Sequence, residues 1–138
     1  MDNKKIFVTQ PSMADRKLFQ DYLDKIWSSR TLTNSGPLHK ELEENLKTTL
    51  KVSNLSLHSN GTLGLANALN SLELSGEVIT TPFSFVATAH AIVWNNLKPI
   101  FVDIDPDTLN LDPSKIESAI TQHTSAILPV HVYGTPCD

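Results

Sequence analysis

Ser59-Asn60-Gly61-Thr62 heads a run of apolar residues at helical spacing, Leu63, Leu65, Ala66, Ala68 and Leu69. Small polar residues at such a junction leave backbone amides uncovered, and the first amides of a helix have no acceptor inside it. Together with the helix dipole they favour an anion, commonly a phosphate. Gly61 lets a ligand approach the backbone closely, and the Thr62 hydroxyl adds a donor. The same four residues also suit a plain helix N-cap. The junction is neither a Walker loop nor a GxGxxG turn.

Two further junctions carry chemistry-bearing residues. In TTPFSFVATAHAIVW, Phe83 and Phe85 follow an apolar segment, where a ring either stacks on a planar ligand or packs in a core. In IFVDIDPDTLNLD, Asp103, Asp105 and Asp107 alternate. A calcium loop would need Gly at 108 and Glu at 114, where the chain has Thr108 and Ser114. A phosphatase built on Asp103 and Asp105, dependent on magnesium, would want threonine or valine at 107, where Asp107 stands. The residue types favour a solvated turn instead. The five histidines (His39, His58, His90, His123, His131) have no metal-ligand spacing, and only His131 falls at a strand end.

These junctions need elements to hold them. Ser12 opens a capping box before a helix whose face is Leu18, Phe19, Tyr22, Leu23, Ile26 and Trp27. The loop LTNSGP leads to a second helix that starts at Pro37 and carries Leu38, Leu42, Leu46 and Leu50, with Glu41, Glu43 and Glu44 outward. Strands are then predicted at 55–58, 77–81, 99–103 and 125–131, and helices at about 62–72, 84–95 and 113–120. Asp112 and Pro113 cap and open the last helix. Alternating strands and helices predict an α/β fold, a parallel sheet with crossover helices. In such a sheet ligands gather at the carboxyl ends of the strands, where all three junctions fall. Exposed apolar sheet edges predict poor solubility and read as the start of a larger domain.

Composition narrows the class. The chain has 138 residues, 40% of them hydrophobic, and a formal charge of -4, which suits one soluble domain. No basic cluster suggests nucleic acid, and no apolar run suggests a membrane span or a signal peptide. One cysteine, Cys137, makes no internal disulfide, which points to a cytoplasmic setting.

The segments LTNSGP, SNGTLGL, GEVITTPFSFVATAHAI, PIFVDIDPDTLNLDP and AITQHTSAILPVHVYG, in that order, resemble the DegT/DnrJ/EryC1/StrS aminotransferases from about residue 30 onward. Members are pyridoxal-phosphate enzymes that aminate nucleotide-linked keto-sugars, typically with glutamate as amino donor. The resemblance implies a partial parallel-sheet α/β sandwich, the N-terminal part of a fold-type I large domain. Residues 1–52 would form a helical segment with an active-site loop, and 53–138 an incomplete βαβαβαβ unit of the cofactor-binding domain. It further implies that Gly61, Thr62 and the amide of Leu63 bind the cofactor phosphate and that Phe85 stacks on its ring, leaving Phe83 to packing. Gly64-Leu65 departs mildly from the family, which usually has alanine there.

Asn34 and His131 are implied near the substrate, with Tyr133 beside His131 in the same motif. The family's Schiff-base lysine, and the aspartate that pairs with the pyridine nitrogen, belong to later motifs. No catalytic residue is therefore assigned, and the chain by itself is expected to be inactive. A homodimer is implied for the full-length enzyme. The alternatives are a sugar dehydratase of the same family and a non-catalytic module that keeps the cofactor turn.

Overall fold

A computed structural model describes residues 6, 7, 9–33 and 35–138, which fall in two compact units, Met1–Ser56 and Leu57–Asp138. The first unit is a helix pair, α1 (Arg16–Ser29) and α2 (Pro37–Leu50). Asp15, and not Ser12, caps α1, its carboxylate accepting from the Leu18 amide at 2.8 Å. Aspartate caps as well as serine does, and its charge also suits the positive end of the helix dipole. Pro37 occupies the first turn of α2 as expected. Glu41 does not point idly outward, because it accepts a 2.7 Å bond from the Tyr22 hydroxyl that ties the two helices. That bond, with the nearby carboxylate charge, raises the Tyr22 pKa.

The second unit contains α3 (Gly61–Ser71), β1 (Glu77–Thr80), α4 (Ala87–Trp94), β2 (Lys98–Phe101), α5 (Pro113–Ala119), β3 (Thr124–Ile127) and a short 3-10 turn (Val132–Gly134). The three strands form one parallel sheet in the order β2-β1-β3. Side chains of β1 alternate between the two faces. Val78 packs with Leu69 of α3, Ala91 and Ile92 of α4, and Leu97. Ile79 packs on the opposite face with Val102 and Leu111, backed by Ile116 and Ala119 of α5. The unit is thus an α/β sandwich with helices on both faces of its central strand. The flanking strands are less covered, since Phe101 and Ile127 are about half exposed.

The strand expected at 55–58 does not form. His58 instead turns onto α3: its Nδ1 lies 3.3 Å from Asn67 Nδ2, and its ring lies over Gly64. A segment engaged with its own following helix makes no ladder, so the sheet has three strands and not four. The last strand is also shorter than the apolar run 125–131. The Leu128 amide still donates to the Ile79 carbonyl at 2.8 Å, but Pro129 has no amide to continue the pairing. Helix α4 begins at Ala87, three residues after the expected start, and α5 carries the expected Asp112 cap and Pro113.

Glu77 opens the central strand as a buried carboxylate. It accepts from the Thr121 hydroxyl at 2.6 Å and from Lys98 Nζ at 3.0 Å, joining the starts of β1 and β2 to the turn that precedes β3. These two bonds, the threonine's first, lower its pKa below the ordinary 4.5. A lowered carboxylate pKa stabilises the fold above that value, and the contribution fades as pH falls through the folded-state pKa. Acid unfolding followed by circular dichroism should therefore show an extra loss of stability below pH 4.5 that Glu77→Gln removes. An unchanged acid limb in that variant would contradict this role.

Candidate functional site

The connections out of β1 and out of β3 border a crevice. From β1 the chain crosses through α4 to β2 on one side, then returns through α5 to β3 on the other. The two crossovers lie on opposite faces of the sheet, so the segments that leave β1 and β3 at their carboxyl ends part from one another. That divergence is where open parallel sheets take up ligands. A cleft of about 380 Å³ lies there, lined by Pro82–Phe85 after β1 and Val130–Tyr133 after β3.

Phe85 is 78% exposed in this cleft and presents a free ring, and Phe83 is the less exposed of the two. Thr81 sets the loop that carries them, its buried hydroxyl accepting from the Phe83 amide at 3.1 Å. Thr80 fixes the other wall, donating at 2.8 Å to the carbonyl of Leu128. His131 lines the cleft, and its Nδ1 accepts from the Cys137 amide at 3.0 Å. Tyr133 is exposed beside it in a left-handed conformation (φ 53°). Asn34 lies outside the described residues.

Helix α3 is long enough to reach the same edge of the sheet. Its last turn joins the amino end of β1 through residues 72–76, and Leu69 packs beneath Val78. Eleven residues rise about 16 Å, enough to bring the helix start level with the carboxyl end of a four-residue strand. Gly61, Thr62 and Leu63 form that first turn. Asn60 is the N-cap, and its Oδ1 accepts from the Leu63 amide at 2.9 Å. The amides of Gly61 and Thr62 thus remain for a ligand, while that of Leu63 is held by the cap. A side chain at Gly61 would meet nothing within 4 Å, so the turn opens onto free space.

The acidic junction is a turn. Asp105 Oδ1 accepts from the amides of Asp107 and Thr108 and from the Thr108 hydroxyl, which together lower its pKa. No group of acidic, histidine or cysteine side chains able to hold a metal occurs among the described residues. The buried polar residue of this junction is Asn110, which bonds the 131–137 turn and to which the motif reading assigns no role. Its only mark in the sequence is a polar residue between Leu109 and Leu111.

The profile of the DegT/DnrJ/EryC1/StrS aminotransferase family matches residues 13–138. The chain belongs to this family. It is 57% identical, over all its 138 residues, to a dTDP-4-amino-4,6-dideoxy-D-glucose transaminase of Escherichia coli, of which it covers 37%. Among solved structures, DesI in the presence of its TDP-sugar product superposes with a TM-score of 0.85 at 42% identity, covering 92% of this chain and 32% of DesI. NtdA of Bacillus subtilis with its bound cofactor PMP superposes at 0.81 and 33% identity, covering 98% of this chain and 33% of NtdA. The chain therefore spans about a third of the length of these family members.

The cap and the glycines of α3 can be weighed by unfolding. Asn60→Ala should cost about 1 kcal/mol through the lost cap. Gly64→Ala should gain about 0.5–1 kcal/mol, because a Cβ there meets the His58 ring at an ordinary 3.5 Å. Urea denaturation of both variants checks the pair, and a destabilised Gly64→Ala would contradict the geometry.

Proposed function

We propose that the chain supplies the cofactor-holding part of a pyridoxal-phosphate-dependent aminotransferase that aminates a nucleotide-linked keto-sugar, with glutamate as donor. The observation that carries this reading is the family match along nearly the whole chain, joined to a cleft at the sheet's switch point. Both the Escherichia coli relative and DesI are described with thymidine-diphosphate-type sugars, which favours a dTDP-linked 4-keto-6-deoxyhexose as acceptor.

The residues fit the cofactor's chemistry. The open first turn of α3 offers Gly61 and Thr62 amides, the Thr62 hydroxyl and a helix dipole to a phosphate. The Leu63 amide would add to that donor set only if the Asn60 carboxamide released it. Phe85 offers its exposed ring to the pyridine face, and His131 lines the cleft on the side left for the substrate. Pyridoxal phosphate, when bound, supplies the electron sink for moving an amino group between carbons.

Covalent attachment falls to a residue beyond this set. The two lysines of Leu57–Asp138 are ion-paired elsewhere, Lys98 with Glu77 at the amino edge of the sheet and Lys115 with Asp112. In this reading the chain by itself is inactive, and the working enzyme is a homodimer of the complete gene product. A cytoplasmic location accords with the lone cysteine and with the nucleotide-sugar substrate.

Incubated with glutamate and a dTDP-linked 4-keto-6-deoxy sugar, the complete gene product should yield the amino sugar and 2-oxoglutarate. No amino transfer to any nucleotide-linked keto-sugar would overturn the proposal. Thr62→Ala should weaken pyridoxal phosphate binding about ten- to a hundredfold, the worth of one hydrogen bond to a charged group. Phe85→Ala should weaken it by about threefold to tenfold through lost stacking. Asp107→Asn, in the acidic turn, should leave it unchanged. Equal affinities in all three variants would place the cofactor elsewhere.

A further inference from the structure

We propose that Asn110 is a positioning residue for the cleft: its carboxamide clamps the 131–137 turn and so presents His131 to the ligand as an Nε2–H donor. Asn110 is 3% exposed, and both ends of its carboxamide are engaged. Its Oδ1 accepts from the Val132 amide at 2.9 Å, and its Nδ2 donates to the carbonyls of Thr135 and Pro136, each at 3.0 Å. All three bonds exist in only one orientation of the amide, since Val132 offers a donor and the other two offer acceptors.

The bonded groups are the backbone of a tight turn that wraps around the side chain. Inside it, the Gly134 amide donates to the His131 carbonyl and the Thr135 amide to the Val132 carbonyl. The turn closes where the Cys137 amide meets His131 Nδ1 at 3.0 Å and the Cys137 thiol meets the Val130 carbonyl at 3.2 Å. Within it Tyr133 keeps a left-handed backbone, which a tyrosine adopts only when its surroundings hold it there. Asn110 bonds the backbone on both sides of Tyr133, at Val132 and at Thr135.

The consequence for chemistry is the imidazole's tautomer. A neutral imidazole whose Nδ1 accepts a hydrogen bond carries its proton on Nε2. His131 then meets the ligand with a donor, which selects an oxygen acceptor and disfavours an ammonium. Losing the Asn110 carboxamide leaves three backbone groups without their partner and frees the turn that holds the Cys137 amide. The ring then loses its fixed tautomer. The inference rests on the cleft as the binding site proposed above, but its test does not depend on the cofactor.

The test is nitrogen NMR of the complete gene product labelled with 15N-histidine, with His131 assigned by its absence in His131→Gln. Under mildly alkaline conditions, where an ordinary imidazole is neutral, the wild type should show a protonated Nε2 and an unprotonated Nδ1 at well-separated resonances. A proton on Nδ1, or two averaged resonances, overturns the proposal with no variant needed. Asn110→Ala should collapse the separation toward the average of a free imidazole. Asn110→Asp, which keeps the acceptor for Val132 but loses both donors, gives the same reading if the alanine variant does not fold.

Ile92→Val, in the other core cluster, should lower the melting temperature without moving these resonances. Resonances that stay at wild-type positions in the Asn110 variants, at a lower melting temperature, would reduce Asn110 to a structural role and overturn the clamp. Failure to bind pyridoxal phosphate would sink the proposed function and leave this reading to stand or fall by itself.

Discussion

Glu77–Thr80 is buried along its whole length and paired on both sides, and the rest of the second unit is arranged around that constraint. A strand covered on both faces needs apolar partners above and below it, which α3 with α4 and α5 supply on opposite sides. Because the neighbours β2 and β3 lie to either side, the chain must leave β1 in one direction and return from the other. The crevice that results is not carved out by a special motif. It is what remains when two crossovers diverge at one edge of a parallel sheet.

Polar side chains then decide what the crevice presents. Thr80 and Thr81 are buried at the end of the central strand, and their hydroxyls hold the Leu128 carbonyl and the Phe83 amide. One bond sets the wall after β3 and the other sets the aromatic loop after β1. At the amino edge Glu77 performs the matching task, linking Lys98 and Thr121. The strand is thus apolar where it packs and hydrogen-bonded where it ends, so its burial also determines the positions of Phe85 and of the 130–133 segment. Helix α3 depends on the same strand through Leu69 and Val78, and its open first turn depends on Asn60.

Much of this was legible because periodic patterns report packing. The apolar runs at β1, β2 and β3 marked the parallel sheet, and Asp112-Pro113 marked the start of α5 by capping chemistry alone. The order of the motifs gave the family, and with it the residues to look for at each junction. What was not legible depends on distant partners. Leu55-Ser56-Leu57-His58 alternates like a strand, yet His58 finds its partner in Asn67 of the next helix. Asn110 reads as a loop residue, because its three bonds are made to residues more than twenty positions later. The adjacent Asn60 side chain holds the Leu63 amide, a bond that the motif does not announce. Local pattern identifies an element, but the partner of a polar group is a property of the fold.

The proposed function requires the first turn of α3 and the cleft at the switch point to form one ligand site. Titration of the 15N-labelled complete gene product with pyridoxal phosphate, followed through its backbone amides, tests it most directly. The largest perturbations should fall at Gly61, Thr62 and Leu63, with a second group at Phe85 and His131. Perturbations confined to the acidic turn at 105–108 or to the α1–α2 pair, with residues 61–63 unmoved, would contradict it.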